Sequence, residues 1–296
     1  MSATATPVRV GLVGAGPWAT MVSAPVLAAS ADTELVGIWA RRPEAATELA
    51  ARHATTALRS VEELIEGSDA VAFAVPPAVQ ATLAGRAARA GRAVLLEKPI
   101  AADLAGAEAL ADAVRAAGVA SAVVLTWRYT AAVRHFLAEA RVVEAVGARG
   151  WFLSGSLLGG PFATAWRLAE GALLDLGPHV LDLLDAAVGE ITSVRATGDP
   201  LRWVSVVCEH TNGAVSEAAL SASLTLDPHR GGVEVYGRDS MASVDCGSAV
   251  QPGDLASIPA YFADVVRSGR RHDLDVHRGL HLQRLLDAAA RDLREH

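Results

Sequence analysis

The stretch "VRVGLVGAGPWA", residues 8–19, constrains the fold of this chain more than any other. An apolar run enters Gly14-Ala15-Gly16-Pro17-Trp18-Ala19, and a helical pattern follows. In a G-x-G-x-x-A turn the first glycine permits the tight reversal, and the second lets backbone approach a pyrophosphate. The small third residue, Ala19, lets the helix pack close to the strand, so that the helix N-terminus faces the phosphates. In a chain this rich in alanine and glycine the hexapeptide means little alone. Its weight comes from context: a strand, a turn and a helix at the start of an alternating series.

That series continues. Short apolar runs at 8–14, 33–40, 70–75, 93–98 and 120–126 lack strict alternation, as expected of strands covered on both faces. Helical stretches at 17–29, 43–53, 60–66, 78–90 and 103–117 separate them. Ser60 with Glu63 forms a capping box, Asp103 suits an N-cap, and Pro25 is expected to break or kink the first helix. The pattern predicts an α/β fold with a doubly wound parallel sheet of Rossmann type over residues 1–126. Beyond that point a helix (130–145), a strand (150–158) and a helix (176–188) precede five strands at 191–198, 201–210, 214–224, 231–237 and 241–246. Asn212-Gly213 is a hairpin signal between two of them. Two helices, 256–267 and 276–293, close the chain. Residues 127–296 therefore read as an α+β domain on a mostly antiparallel open sheet.

Composition narrows the class. The formal charge of −7 and the absence of a basic block argue against a nucleic-acid partner. No apolar run reaches the roughly 18 residues of a membrane span, and the N-terminus lacks a secretory pattern. Cys208 and Cys246 form no close-spaced pair, which fits a reducing cytoplasm. A small-molecule substrate is the expected partner.

The end of the second strand bears on cofactor choice. NAD-binding versions usually place an acid there to hold the ribose hydroxyls. This chain has Ala40-Arg41-Arg42, and two guanidiniums suit a 2′-phosphate by charge and by bidentate geometry. NADP(H) is favoured, with NAD(H) as the alternative. The fourth strand runs into Glu97-Lys98-Pro99 at the carboxyl edge of the parallel sheet, where ligands of such folds bind. The residue before a proline is pushed toward extended backbone, so Pro99 restricts Lys98. In "GALLDLGPHVLDLL", Asp175 and His179 are four apart and share a helix face, with Pro178 expected in the helix's first turn.

The glycine turn, "DAVAFAVPP", "LLEKPIA" and "GALLDLGPHVLDLL", in this order, resemble the Gfo/Idh/MocA oxidoreductases, which include glucose–fructose oxidoreductase and inositol dehydrogenase. The resemblance covers nearly the whole chain. It implies hydride transfer between a nicotinamide cofactor and a sugar, polyol or related cyclic alcohol or ketone. It also implies catalytic roles for Lys98 on the substrate oxygen, His179 in proton transfer and Asp175 in orienting both. Gly14, Gly16, Pro17, Trp18, Ala19, Arg41, Arg42, Pro76, Pro77, Glu97 and Lys98 are the implied cofactor contacts. Arg128, Trp166 and Arg167 are candidate substrate contacts, while Trp18 could equally fill a gap under the first helix. Gln80 stands where many relatives carry His, and Glu170-Gly171-Ala172 replaces a run of glycines common among them. The family commonly associates through the open face of the second sheet, so a homodimer or homotetramer is expected.

Two other readings keep the same fold: a nucleotide-binding regulator without turnover, and a reductase of an imine or conjugated double bond. The cluster His272, Asp273, Asp275, His277 and His281 offers metal-ligand types but leads into a helix that reads as structural, so no metal is expected.

Overall fold

The structure, a computed structural model, describes residues 6–247 and 252–295. It divides into two compact units: residues 1–124 with 255–280, and residues 125–254 with 281–296.

The first unit holds β1 (Val8–Val13), a π-helical segment (Ala19–Ser23), α1 (Ala24–Ala29), β2 (Thr33–Trp39), α2 (Pro43–Arg52), α3 (Val61–Glu66), β3 (Ala70–Phe73), α4 (Pro77–Arg89), β4 (Ala93–Glu97), α5 (Leu104–Ala117) and β5 (Ser121–Val124). The strands form one parallel sheet in the order β2-β1-β3-β4-β5. Every residue of β3 and β5 is buried, the mark of strands covered on both faces. Burial of each such Val, Leu or Phe side chain contributes about 1.5–3 kcal/mol. The strand order reverses between β1 and β3, so the crevice for a ligand lies beyond their carboxyl ends.

Local chemistry explains the boundaries. Ser60 Oγ accepts from Glu63 N at 3.1 Å, while Glu63 Oε2 reaches back to Arg59 N rather than to the cap residue's own N–H. Asp103 Oδ1 accepts from Gly106 N at 2.7 Å and starts α5. The expected disturbance at Pro25 takes the form of the π-helical segment just ahead of it: the wider turn accommodates a ring that would clash with a carbonyl one α-turn back.

In the second unit, α6 (Ala131–Ala140) precedes β6 (Gly147–Leu153), α7 (Ala165–Val188), β7 (Ile191–Asp199), β8 (Trp203–His210), β9 (Val215–Ser221), β10 (Arg230–Tyr236) and β11 (Met241–Asp245). The sheet order is β11-β10-β6-β9-β8-β7, antiparallel except for β6 with β9. Asn212-Gly213 turns β8 into β9, with Gly213 at φ 83°. One face of the sheet is covered by α7: a Cβ on Gly150 would lie 2.6 Å from Val180 Cγ1. On the other face Trp203 and Val207 remain about two-fifths exposed.

The chain ends with α8 (Pro252–Leu255), α9 (Ser257–Ser268) and α10 (Val276–Glu295). Here the structure departs from the sequence reading, which assigns all of 127–296 to the second domain. Residues 255–280 pack with the Rossmann unit instead. The physical reason is the edge of β5, where Val123 N donates to Leu274 O at 2.7 Å and Val276 N to Ser121 Oγ at 3.1 Å. An uncovered parallel edge would leave those groups unsatisfied. Further corrections are smaller. Strand β6 spans residues 147–153 rather than 150–158. Residues 201 and 202 form a turn rather than the start of β8. Helix α6 stops at residue 140 rather than 145. Helix α7 begins at residue 165 rather than 176. Among the described residues, no helix is long and apolar enough to cross a membrane.

Candidate active site

The glycine turn sits at the end of β1. Gly14 has φ 124°, and a Cβ there would lie 2.4 Å from Ala74 O at the exit of β3, so only glycine fits. Gly16 is different: a Cβ built on it meets nothing within 4 Å. The helical run after it starts with Thr20 N donating to Gly16 O at 2.9 Å. An open approach to backbone at the start of a helix is what a dinucleotide pyrophosphate requires, and the residues present fit one. At the end of β2, Arg41 and Arg42 are exposed, and their guanidiniums have no hydrogen-bond or ion-pair partner among the described residues. Pro76 caps α4 and Pro77 opens it, directly after β3.

Lys98 follows β4 on the same carboxyl edge, and its peptide bond to Pro99 is cis. It is the only lysine in the chain, beside 25 arginines. A chain that otherwise takes its positive charge from guanidinium keeps an ammonium at this strand end, where a compact point charge differs chemically from a planar fork. Composition carried this signal, and motif reading alone passed over it. Trp18 of the glycine turn donates from Nε1 to Glu97 Oε1 at 2.6 Å. Its indole is thus a hydrogen-bond anchor between the turn and the strand end, a role that neither covering a cofactor nor filling a gap had suggested.

In the second unit the segment around Asp175 and His179 is buried. Helix α7 contains a break at Gly171 (φ 70°, ψ −163°), where a Cβ would lie 2.4 Å from Pro200 O and Ala172 N donates to that oxygen at 2.8 Å. The left-handed residue in Glu170-Gly171-Ala172 is therefore explained by close approach to the loop before β8. The helix restarts at Ala172, which puts Pro178 in its second turn and corrects the first-turn expectation. Pro178 removes one helical donor, that for the Leu174 carbonyl.

Two arginines grip this helix. Arg167 Nε donates to Asp175 Oδ1 at 3.0 Å and Arg128 Nη1 approaches both oxygens of Asp182 at 3.3 and 3.2 Å. All four side chains are at least 85% buried, so the pairs are screened little by water. Sequence reasoning offers Arg128 and Arg167 as substrate contacts; each has a carboxylate of α7 as partner, and Trp166 stacks on Arg167, its ring centroid 4.8 Å from the guanidinium carbon. The His179 ring lies among aromatics: Trp127 at 5.4 Å and Phe152 at 6.0 Å between centroids, with His229 next to Phe152 at 5.6 Å. A histidine in such a lining is held in orientation and can carry a proton at a ring nitrogen.

In the histidine-rich C-terminal segment, the side chains of His272, Asp275 and His281 make polar contacts. His272 Nδ1 meets the Tyr261 hydroxyl, Asp275 caps α10 through His277 N at 2.8 Å and pairs with Arg271, and His281 Nε2 bonds Asp185 at 2.8 Å.

Comparison with known proteins agrees with this geometry. The profile of an oxidoreductase family with an NAD-binding Rossmann fold, GFO_IDH_MocA, matches residues 8–125, and that of the GFO/IDH/MocA C-terminal domain matches residues 130–243. Levoglucosan dehydrogenase of Pseudarthrobacter phenanthrenivorans is 30% identical over 52% of this chain and 42% of its own length. The dTDP-3,4-didehydro-2,6-dideoxy-alpha-D-glucose 3-reductase of Streptomyces violaceoruber is 30% identical over 69% of this chain and 60% of its own. The chain thus spans about half the length of these curated relatives. Among solved structures, GenD2 from gentamicin A biosynthesis in complex with NAD superposes with a TM-score of 0.86 at 23% identity, covering 99% of this chain and 96% of that one, a likeness of fold. With both of the family's domains matched in order along one polypeptide, the chain belongs to the Gfo/Idh/MocA oxidoreductases.

Proposed function

We propose that the protein is a nicotinamide-dependent oxidoreductase of a sugar, polyol or related cyclic alcohol or ketone, with NADP(H) as the preferred cofactor. The observation that carries this reading is the single lysine at the exit of β4, tied through the neighbouring Glu97 to Trp18 of the glycine turn. The first unit thereby supplies a phosphate cradle and an oxygen-polarising cation on one sheet edge. The dinucleotide, when bound by the turn residues 14–19 with Arg41 and Arg42 at its adenosine end, supplies the hydride-transfer chemistry. Lys98 stabilises negative charge developing on the substrate oxygen. His179 moves the proton of the substrate hydroxyl, a role suited to a group whose unperturbed pKa lies near neutrality. Asp175, fixed by Arg167, orients the substrate and the histidine. The two relatives named above are a levoglucosan dehydrogenase and a reductase of a dTDP-linked dideoxyglucose, so the first panel should contain both classes beside inositols.

The test follows NAD(P)H absorbance at 340 nm across that panel. Turnover of a hydroxyl or carbonyl substrate that disappears in Lys98→Ala supports the reading. Activity confined to imines or activated double bonds, with Lys98 dispensable, would replace it.

The exposed face of the second sheet supports a further part of the proposal, that the chain is a homodimer or homotetramer. Trp203, Val207, Val215 and Met241 are each 42–55% exposed on strands of that sheet, more apolar surface than one layer of helices conceals. Light scattering that reports a monomer at micromolar concentration would remove it.

A further inference from the structure

Gln80 lies in the first turns of α4, directly after the Pro76-Pro77 pair, and is fully buried. Its amide faces the chain on both sides of Lys98. Gln80 Nε2 donates to Glu97 O at 2.7 Å, and lies 3.2 Å from Ile100 O and 3.3 Å from Pro99 O. In return, Glu97 N donates to Gln80 Oε1 at 2.8 Å. One side chain thus takes up the backbone groups immediately before and after Lys98. On the same loop the Glu97 carboxylate is held by Trp18. The loop cannot turn as a unit without breaking buried hydrogen bonds, and each broken one leaves a polar group unsatisfied.

We propose that Gln80 and Trp18 are positioning residues for Lys98: Gln80 brackets its backbone and Trp18 anchors the preceding carboxylate to the phosphate-binding turn, so that the ammonium is presented in one orientation to the bound dinucleotide. This rests on the functional reading above. Neither residue is assigned contact with substrate; both act through the loop that carries Lys98. The chemistry demands such support, because a lysine ends in four rotatable methylenes and the backbone beneath it is the one part that can be fixed from below. It also accounts for a glutamine in a fully buried position. Only an amide offers the donors and the acceptor that this loop takes up together.

The single lysine makes the test direct. Reductive methylation with ¹³C-formaldehyde labels the α-amino group and Lys98 Nζ alone, keeps the positive charge, and gives one resonance that reports Lys98. The spectrum is recorded for the native protein, Gln80→Met and Trp18→Phe, each with and without NADPH, alongside NADPH affinity from fluorescence titration. The native resonance should be narrow and should move on addition of NADPH. In both variants, at saturating NADPH, it should change position or broaden and lose at least half of its NADPH response, while the NADPH Kd of Gln80→Met, whose substitution lies outside the phosphate turn, stays within about threefold. A variant with a native-like Lys98 resonance and a full NADPH response overturns the proposal. Should Gln80→Met fail to fold, Trp18→Phe, which keeps an aromatic ring and removes one hydrogen bond, decides it by the same criterion. A native resonance that ignores saturating NADPH would instead defeat the functional reading itself, which separates the two failures.

Discussion

Arg167 and Asp175 form a buried ion pair eight residues apart on a broken helix, with Nε and Oδ1 3.0 Å from each other. The break at Gly171 is what brings them together, since an unbroken helix would place residues eight apart two turns away along its axis. The pair fixes the carboxylate one helical turn before His179.

Arg167→Ala should therefore take one cation away from the buried Asp175 carboxylate. Losing one partner of a buried pair typically costs about 3–5 kcal/mol. Urea unfolding should show a clear fall in midpoint, and turnover should drop with it. Arg167→Lys restores the charge but not the planar fork, and should recover only part of both. An unchanged midpoint in Arg167→Ala would mean that Asp175 takes its support elsewhere.

Replacing Arg41 and Arg42 together by alanine should weaken NADPH far more than NADH. Each charge-assisted hydrogen bond to a 2′-phosphate contributes roughly 1.5–3 kcal/mol. Parallel titrations of both cofactors read this directly. Tighter binding of NADH than NADPH by the native protein would count against the preference.

Gly16→Val and Gly14→Ala should fail in opposite ways. The first places a side chain in open space, so melting should be near native while dinucleotide binding is lost. The second combines positive φ with a Cβ 2.4 Å from Ala74 O, so stability itself should fall. Normal NADPH binding by Gly16→Val would place the nucleotide elsewhere.

Lys98→Ala should cost on the order of 10²–10³ in kcat, as loss of one oxyanion donor does. His179→Ala should cost roughly 10²–10⁴, the usual worth of a positioned acid–base group. Both variants should retain NADPH binding. Near-native turnover by either would sink its assigned role.

Cys208 and Cys246 should be silent toward a thiol reagent at pH 8 in the native protein and react only on unfolding. Burial pushes both thiols up to about 12 from an ordinary 9. The folded pKa is the raised one, so the linked stability is complete below about pH 9 and is lost as pH climbs from there toward 12. Rapid labelling of either thiol at pH 8 would show that its cover opens.

The parallel sheet was legible because its strands are short apolar runs separated by capped helices; Ser60 and Asp103 mark their helices in the sequence and cap them in the structure. The Asn212-Gly213 turn was legible for an equally local reason, since few residues tolerate its backbone. The start of α7 was not: Gly171 reads as a loop residue, and only its approach to Pro200, far along the chain, lets helix continue on both sides. The partners of Arg128 and Arg167 were hidden similarly. The sequence offers the two arginines as substrate contacts, whereas the carboxylates they meet are set by how α7 folds back. Gln80 was visible as a departure from a family pattern, but its purpose needed the loop that it brackets.

The edge of β5 closed by residues 272–276 has a consequence for how the molecule is made. During synthesis the five Rossmann strands emerge first, yet the segment that caps the last of them lies beyond the whole second sheet in the chain. The N-terminal unit thus spends the translation of some 150 residues with an open parallel edge, the kind of surface that recruits foreign strands. Order of birth and order of completion are uncoupled in this protein: its Rossmann unit cannot be finished until residue 280, after the whole second sheet has been made.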